Sequence, residues 1–169
     1  MRIVVGIDPG KSGGVVAISE TGSVVKAVRG EQYVQKGEYS PREMLASLLS
    51  GDGKVPVVAV LERQHAMPGQ GGTSMLSIGV GFGLWWGILS ALGIPLERVS
   101  AQTWQKEILR GVAGGDAKDR AARVCEGRLP TLCLTPGKIL KPHSGLADAG
   151  CLALYGLTRL GIGGDSGSR

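Results

Sequence analysis

Metal-binding cysteine motifs are missing from this sequence of 169 residues. Its cysteines, Cys125, Cys133 and Cys151, are odd in number and widely spaced, and no Cys-x-x-Cys pair occurs. Histidine is as scarce, with His65 and His143 the only two. A structural zinc site draws four such ligands together, so none is expected. The cysteines read instead as buried free thiols in a reducing compartment. A leader is also missing: the chain enters an apolar, strand-like run at once, so no signal or transit peptide is expected. There is no internal repeat and no shift of composition. Residues 1–160 are therefore expected to form one domain, with 161–169 a flexible tail. The 29 glycines follow no collagen-like period and point to tight turns and close backbone contacts.

Charge is absent from a long central stretch. No Asp, Glu, Lys or Arg occurs between Gln64 and Leu96, and Met75 to Leu92 is largely apolar. That length approaches the ~20 residues that span a bilayer. Ser77, Ser90 and several glycines interrupt it, and no positive cluster flanks it. The expectation is a buried or interface helix and no membrane span. Gly79, Gly83 and Gly87 recur at every fourth residue and share one helix face, where another backbone can approach closely. Over the whole chain 19 Lys and Arg stand against 14 Asp and Glu, a formal +5. That mild excess favours an anionic partner such as nucleic acid without requiring one.

The pattern of elements indicates an α/β fold. Arg2 to Ile7 is a short apolar run, as in a central strand buried on both faces. Gly14 to Ser19 and Ser23 to Val28 follow as β-rich runs around a Glu20-Thr21-Gly22 turn. Ser40-Pro41-Arg42-Glu43 has the form of a capping box, starting a helix to about Ser50. Val55 to Leu61 reads as another buried strand, and a glycine-rich loop from Arg63 to Thr73 leads to the long apolar helix. Leu96 to Val99 is a short strand. Helices are expected over 102–110, over 117–129 with Asp116 as cap, and from Ser144 or Leu146 to Leu160. Three antiparallel strands followed by alternating strands and helices imply a mixed five-stranded sheet with helices on its faces.

Three acids stand out by position. Asp8 directly follows a buried strand; it is either a turn aspartate opening Asp-Pro-Gly or a carboxylate at the strand end where open α/β sheets place their sites. Glu62 repeats the arrangement. Two such carboxylates converge if their strands are neighbours, which suits a hard cation. Asp148 is placed in the first turn of the last helix. It either complements the helix dipole or, among apolar neighbours, needs a partner such as a metal. His143 is either an exposed loop residue or a ligand or proton carrier beside the metals, the latter only if the helix begins after it. Lys138 and Lys141 lead into His143 and Asp148 and are candidates for phosphate contact, followed by Lys118, Lys11 and Arg63. The loop tip Met67-Pro68-Gly69-Gln70 could insert between bases. Trp85, Trp104 and Trp86 are expected in the core.

Gly6-Ile7-Asp8-Pro9-Gly10, with Ser12-Gly13-Gly14-Val15 after it, resembles the RuvC-type Holliday junction resolvases, most closely their phage and chloroplast branch. The likeness continues through Val60-Leu61-Glu62, the glycine-rich loop and long helix, and Thr103-Trp104-Gln105-Lys106, and closes on His143-Ser144-Gly145-Leu146-Ala147-Asp148-Ala149. It implies an RNase H-like fold and a cytoplasmic homodimer, in a bacterial or phage-infected cell, acting on a four-way DNA junction. It also implies two-metal phosphodiester hydrolysis with two Mg²⁺ per site, Mn²⁺ being the alternative. Asp8, Glu62 and Asp148 would be metal ligands. The family's fourth group lies a few residues before the last acid; Gly145 and Ser144 stand there, and His143 is the nearest substitute. An RNase H-type enzyme cutting RNA in hybrids would use the same carboxylates, and a non-catalytic protein would bind junctions without cutting. Sugar-kinase-like ATPases carry similar Gly-Ile-Asp-Pro-Gly loops but need two such domains.

Overall fold

A computed structural model describes residues 1–49, 55–64, 71–138, 140–159 and 161. The loop tip at 67–70, positions 50 and 51 where the first helix was expected to stop, and nearly all of the tail lie outside the described residues. A five-stranded sheet holds β1 (Ile3–Asp8), β2 (Gly14–Ser19), β3 (Val24–Arg29), β6 (Val58–Glu62) and β7 (Leu96–Val99) in the order β3-β2-β1-β6-β7. β1, β2 and β3 are antiparallel, while β6 and β7 run parallel to β1. This is the mixed sheet expected from the order of elements. Between β3 and the first helix stand a 3-10 turn (Gly30–Tyr33) and a small hairpin of β4 (Val34–Gln35) and β5 (Glu38–Tyr39). These short elements have no hydrophobic periodicity to announce them.

The central strands β1, β2 and β6 are apolar nearly throughout because helices cover both faces. Side chains alternate across a strand. Val4, Val16, Ile18, Val58 and Val60 thus face a core shared with α3 (Ala101–Ile108), α4 (Ala117–Arg128) and α5 (Ser144–Arg159). Ile3, Val5, Ile7, Ala59 and Leu61 face a second core with α1 (Pro41–Leu48) and α2 (Gly72–Ala91). Local signals set several boundaries. The Ser40 hydroxyl accepts from the Glu43 amide, Ser100 from Thr103 and Asp116 from Asp119, which caps α1, α3 and α4.

α5 lies against β1 and β2 at backbone distance. A methyl group at Gly6 would overlap the Ala149 carbonyl and the Ala153 amide, and one at Gly145 would overlap Ser12 and Gly13. A methyl at Gly14 would come within 2.9 Å of the Gly145 carbonyl. These glycines are needed because the helix axis leaves no room for a Cβ there.

α2 is the opposite case. Gly81, Trp85 and Leu89 form its inner edge in the second core. Gly79, Gly83 and Gly87 are exposed with open space around them, and Leu76 and Trp86 are exposed too. By length and composition alone α2 could cross a membrane. Trp86 departs from its expected core position because it lies one residue, about 100°, from the inner edge. The Arg98 guanidinium instead lies 4.4 Å from its ring centroid. Cys133 is likewise exposed, whereas Cys125 and Cys151 are buried thiols.

Two substitutions test this division of the glycines. Gly6→Ala should lower the unfolding free energy by roughly 3 kcal/mol, since the overlap is with backbone that cannot yield. Gly127→Ala, on an open face of α4, should raise it by about 0.5–1 kcal/mol. Urea unfolding measures both; a Gly6→Ala protein as stable as its parent would refute the seating of α5.

Candidate active site

Parallel pairing brings two of the acids together. Ile7 of β1 stands opposite Leu61 of β6, so Asp8 and Glu62 follow at the same edge of adjacent strands, about 4.8 Å apart in the sheet direction. Ile7 and Leu61 face the α2 side; alternation therefore turns Asp8 and Glu62 toward α5. Asp148 meets them there, one residue before the Ala149 that rests on Gly6. It is the fifth residue of α5, in the second turn, and no acid occupies the first turn. The dipole of the helix terminus thus has less claim on it than its expected first-turn position suggested.

All three carboxylates hold a proton more tightly than exposed ones, and burial is the largest cause at each. Glu62 is pushed up to about 7, chiefly by burial and then by the Asp8 charge, with Asp148 adding to it. Asp148 is also pushed up to about 7, by burial and by Asp8, against a counteracting effect of Lys118. Burial raises Asp8 as well; the Gly10 amide, His143 and Lys118 oppose it. The Gly10 amide donates to Asp8 Oδ1 at 3.3 Å. Trp104, fully buried, donates from Nε1 to Glu62 Oε2 at 3.1 Å. Its core position was expected; its bond to Glu62 was not, because it joins residues far apart in sequence.

Among the described residues, no three His, Cys, Asp or Glu side chains are close enough as they stand to hold an ion. The chemistry of the set nevertheless fits a divalent cation. It consists of hard oxygen donors, partly withdrawn from water, whose mutual repulsion a cation relieves.

His143 precedes α5, as its inclusion required. Its Nδ1 accepts from the Leu146 amide at 3.2 Å, and its Nε2 lies 3.3 Å from Glu31 Oε2. Both ring nitrogens are engaged: the imidazole caps the helix that carries Asp148 and reaches the 3-10 turn through Glu31. The ring does not line the cleft that Asp8 and Asp148 border.

That cleft has a volume of about 530 Å³ and is lined by Asp8, Asp148, Lys11, Lys118, Ser144 and hydroxyls of α2. Lys118 also borders an adjoining cavity with Lys141. Lys11 and Lys118 are therefore together at the acids and Lys141 is one cavity away. Arg63 and Lys138 are exposed and line neither. Tyr33 and Tyr39 are site residues with no sequence signal of their own. Their hydroxyls donate to the carbonyls of Gly10 at 3.0 Å and Pro9 at 3.3 Å, bracing the turn after Asp8.

These shifts fix a pH dependence. With folded values near 7 for Glu62 and Asp148, above those of exposed carboxyls, the folded chain binds more protons than the unfolded chain between about pH 4 and 7. In chelator, stability should fall as pH rises through that window. Asp148→Asn should melt several degrees above the parent at pH 8, at roughly 2–4 °C per kcal/mol, and gain little at pH 4. Thermal melts at the two pH values check this; an Asp148→Asn gain that is equal at both would contradict the charge repulsion.

No protein-family model and no curated protein sequence matches the chain. Solved structures do. The Thermus thermophilus RuvC in complex with Holliday junction substrate aligns with a TM-score of 0.63 and 22% identity, covering 96% of this chain and 98% of that one. A second Thermus thermophilus RuvC structure aligns with a TM-score of 0.57 and 23% identity, covering 95% and 98%. Over nearly its whole length this chain has the RNase H-like α/β fold of RuvC.

Proposed function

We propose that this protein is a divalent-metal-dependent endonuclease that resolves four-way DNA junctions, with Asp8, Glu62 and Asp148 as its metal ligands. The observation that carries the reading is the cluster itself: three part-buried carboxylates, from two strand ends and one helix, of which Asp8 and Asp148 line a cleft with Lys11 and Lys118. Oxygen donors withdrawn from water, two of them further disfavoured as anions by the Asp8 charge, suit a cation. Bound there, Mg²⁺ or Mn²⁺, two per site, supplies activation of water and stabilisation of the leaving oxygen.

The protein's own groups have separable tasks. Trp104 orients Glu62, and the Gly10 amide orients Asp8. His143 fixes the start of α5, and so the position of Asp148, through the Leu146 amide. It is the nearest candidate for a fourth ligand if it releases that bond. Lys11, Lys118 and Lys141 bind backbone phosphates along the cleft, with Arg63 and Lys138 further out. A four-way junction is the substrate favoured by the fold, because a RuvC of the same fold is solved with one. Assignment to the phage and chloroplast branch rests on the sequence motifs.

The open, glycine-faced side of α2 is the proposed surface of a homodimer. Two-fold pairing would set two sites on a two-fold substrate, and would cover Leu76, Val80 and the glycine stripe. The inner edge of α2 is part of the same core as Ile7 and Leu61, which supports a cytoplasmic protein over a membrane-spanning one.

A synthetic four-way junction with Mg²⁺, compared with linear duplex and RNA-DNA hybrid, tests the substrate; preferred cutting of the hybrid would favour the RNase H-type reading, and binding without cutting in any divalent metal would favour the non-catalytic one. Asp8→Asn should keep fold and junction binding while lowering the cutting rate at least a thousandfold, about 4 kcal/mol of barrier. Sedimentation should give a dimer at micromolar concentration.

A further inference from the structure

The 3-10 turn at Gly30–Tyr33 joins two segments that carry the acids. The Gly30 amide donates to the Gly13 carbonyl at 2.9 Å, and a methyl group on Gly30 would overlap the Lys11 carbonyl. The Tyr33 hydroxyl donates to the Gly10 carbonyl at 3.0 Å. Both contacts hold the turn after Asp8. Between them Glu31 reaches the other way: its Oε2 and Oε1 lie 3.3 and 3.4 Å from Nε2 of His143, just before α5 and Asp148. Gln32 keeps the turn closed, its side-chain oxygen accepting from the Arg29 amide at 2.9 Å.

His143 stands at the N-cap of α5, which begins at Ser144. Its carbonyl accepts from the Ala147 amide at 3.1 Å, and its Nδ1 accepts from the Leu146 amide at 3.2 Å. The usual caps are serine, threonine, aspartate and asparagine, whose side-chain oxygens always accept. An imidazole accepts only at a ring nitrogen that carries no proton. With Nδ1 accepting, the ring proton of neutral His143 belongs on Nε2, where the Glu31 carboxylate faces it. In the other tautomer a bare Nε2 would face that carboxylate, two acceptors with no proton between them. Glu31 therefore selects the tautomer, and with it the ring orientation, in which a histidine can cap a helix. The His143 side chain is 9% exposed and that of Glu31 55%, so the ring has little room to turn and the carboxylate comes to it from the surface.

We propose that Glu31 is a positioning residue of the metal site: by holding the His143 ring through Nε2, it fixes the start of α5 and so the place of Asp148 relative to Asp8. This inference rests on the metal reading above and adds to it a carboxylate that lines no part of the cleft. The 3-10 turn is then a bracket, with Gly30 and Tyr33 on the Asp8 side and Glu31 on the Asp148 side. Loss of an outer partner that orients a metal site weakens metal binding about ten- to a hundredfold.

The test is calorimetry of Mn²⁺ binding to the protein without DNA. Glu31→Ala should weaken binding about tenfold; Glu31 is exposed, so the substitution leaves both cores intact. Glu31→Gln, whose amide oxygen still accepts from Nε2–H, should bind as the parent does, which separates the hydrogen bond from the charge. His143→Asn supplies a cap oxygen that accepts without help, so in that background Glu31→Ala should have no effect. Ring-nitrogen NMR of the parent at pH 8 in chelator should show His143 with Nδ1 bare and Nε2 protonated, its signals identified by their loss in His143→Asn. The proposal is overturned by parent-like binding in Glu31→Ala, by Glu31→Gln binding as weakly as Glu31→Ala, by an equal loss in the His143→Asn background, or by the opposite tautomer. A parent that binds no Mn²⁺ overturns the metal reading together with this proposal. A parent that binds Mn²⁺ and cuts junctions, with Glu31→Ala matching it in both, overturns this proposal alone.

Discussion

The seating of α5 on β1 and β2 is the constraint on which the rest of the molecule depends. It is a contact of backbone with backbone: Gly6 beneath Ala149 and Ala153, and Gly13 and Gly14 beneath Gly145. No larger residue fits at these points, because packed interiors have no spare volume at the scale of a methyl group. The same contact delivers Asp148 to the edge where Asp8 and Glu62 already stand. Fold and site are thus a single geometric fact. A helix displaced by the width of one side chain would leave two acids at a strand edge and a third out of reach.

That geometry has an electrostatic cost. Three carboxylates withdrawn from water share one face of the sheet edge, and Glu62 and Asp148 respond by holding protons up to about neutral pH. The nearby cations do not remove the repulsion: Lys118 is exposed, and Lys11 is engaged with the Gly37 carbonyl and the Tyr39 ring. A folded chain keeps such strain where it serves a function. Around the cluster, the supports are hydrogen bonds that aim the acids without neutralising them, from Trp104 to Glu62 and from the Gly10 amide to Asp8.

The second core has a comparable double role. α2 gives its Gly81–Trp85–Leu89 edge to the core and presents an open glycine stripe on another face. Tyr33, packed edge-on against Trp85 with ring centroids 5.3 Å apart, carries that core up to the turn after Asp8. The hairpin at 34–39 is braced by the same tyrosines. The walls of the cleft are therefore as well anchored as its floor, although they belong to the shortest elements of the chain.

Much of this was legible in the residues themselves. Continuous apolar strands announced a sheet covered on both faces, and Ser40, Asp116 and the apolar runs set the order of elements, because period and capping are local properties. Asp8 and Glu62 could be singled out for the same reason: each ends a buried run. Other features depended on the tertiary structure, which joins residues distant in sequence. The parallel register of β1 and β6 made Asp8 and Glu62 neighbours, and the glycine contact brought Asp148 to them. Helix phase turned Trp104 onto Glu62 and Trp86 to the surface. His143 lay next to the right helix in the sequence, yet only the fold showed both of its ring nitrogens occupied, by Leu146 and by Glu31 of the 3-10 turn after β3. The sequence by itself determined which side chains could do the chemistry; the packing of helix on sheet decided which of them meet.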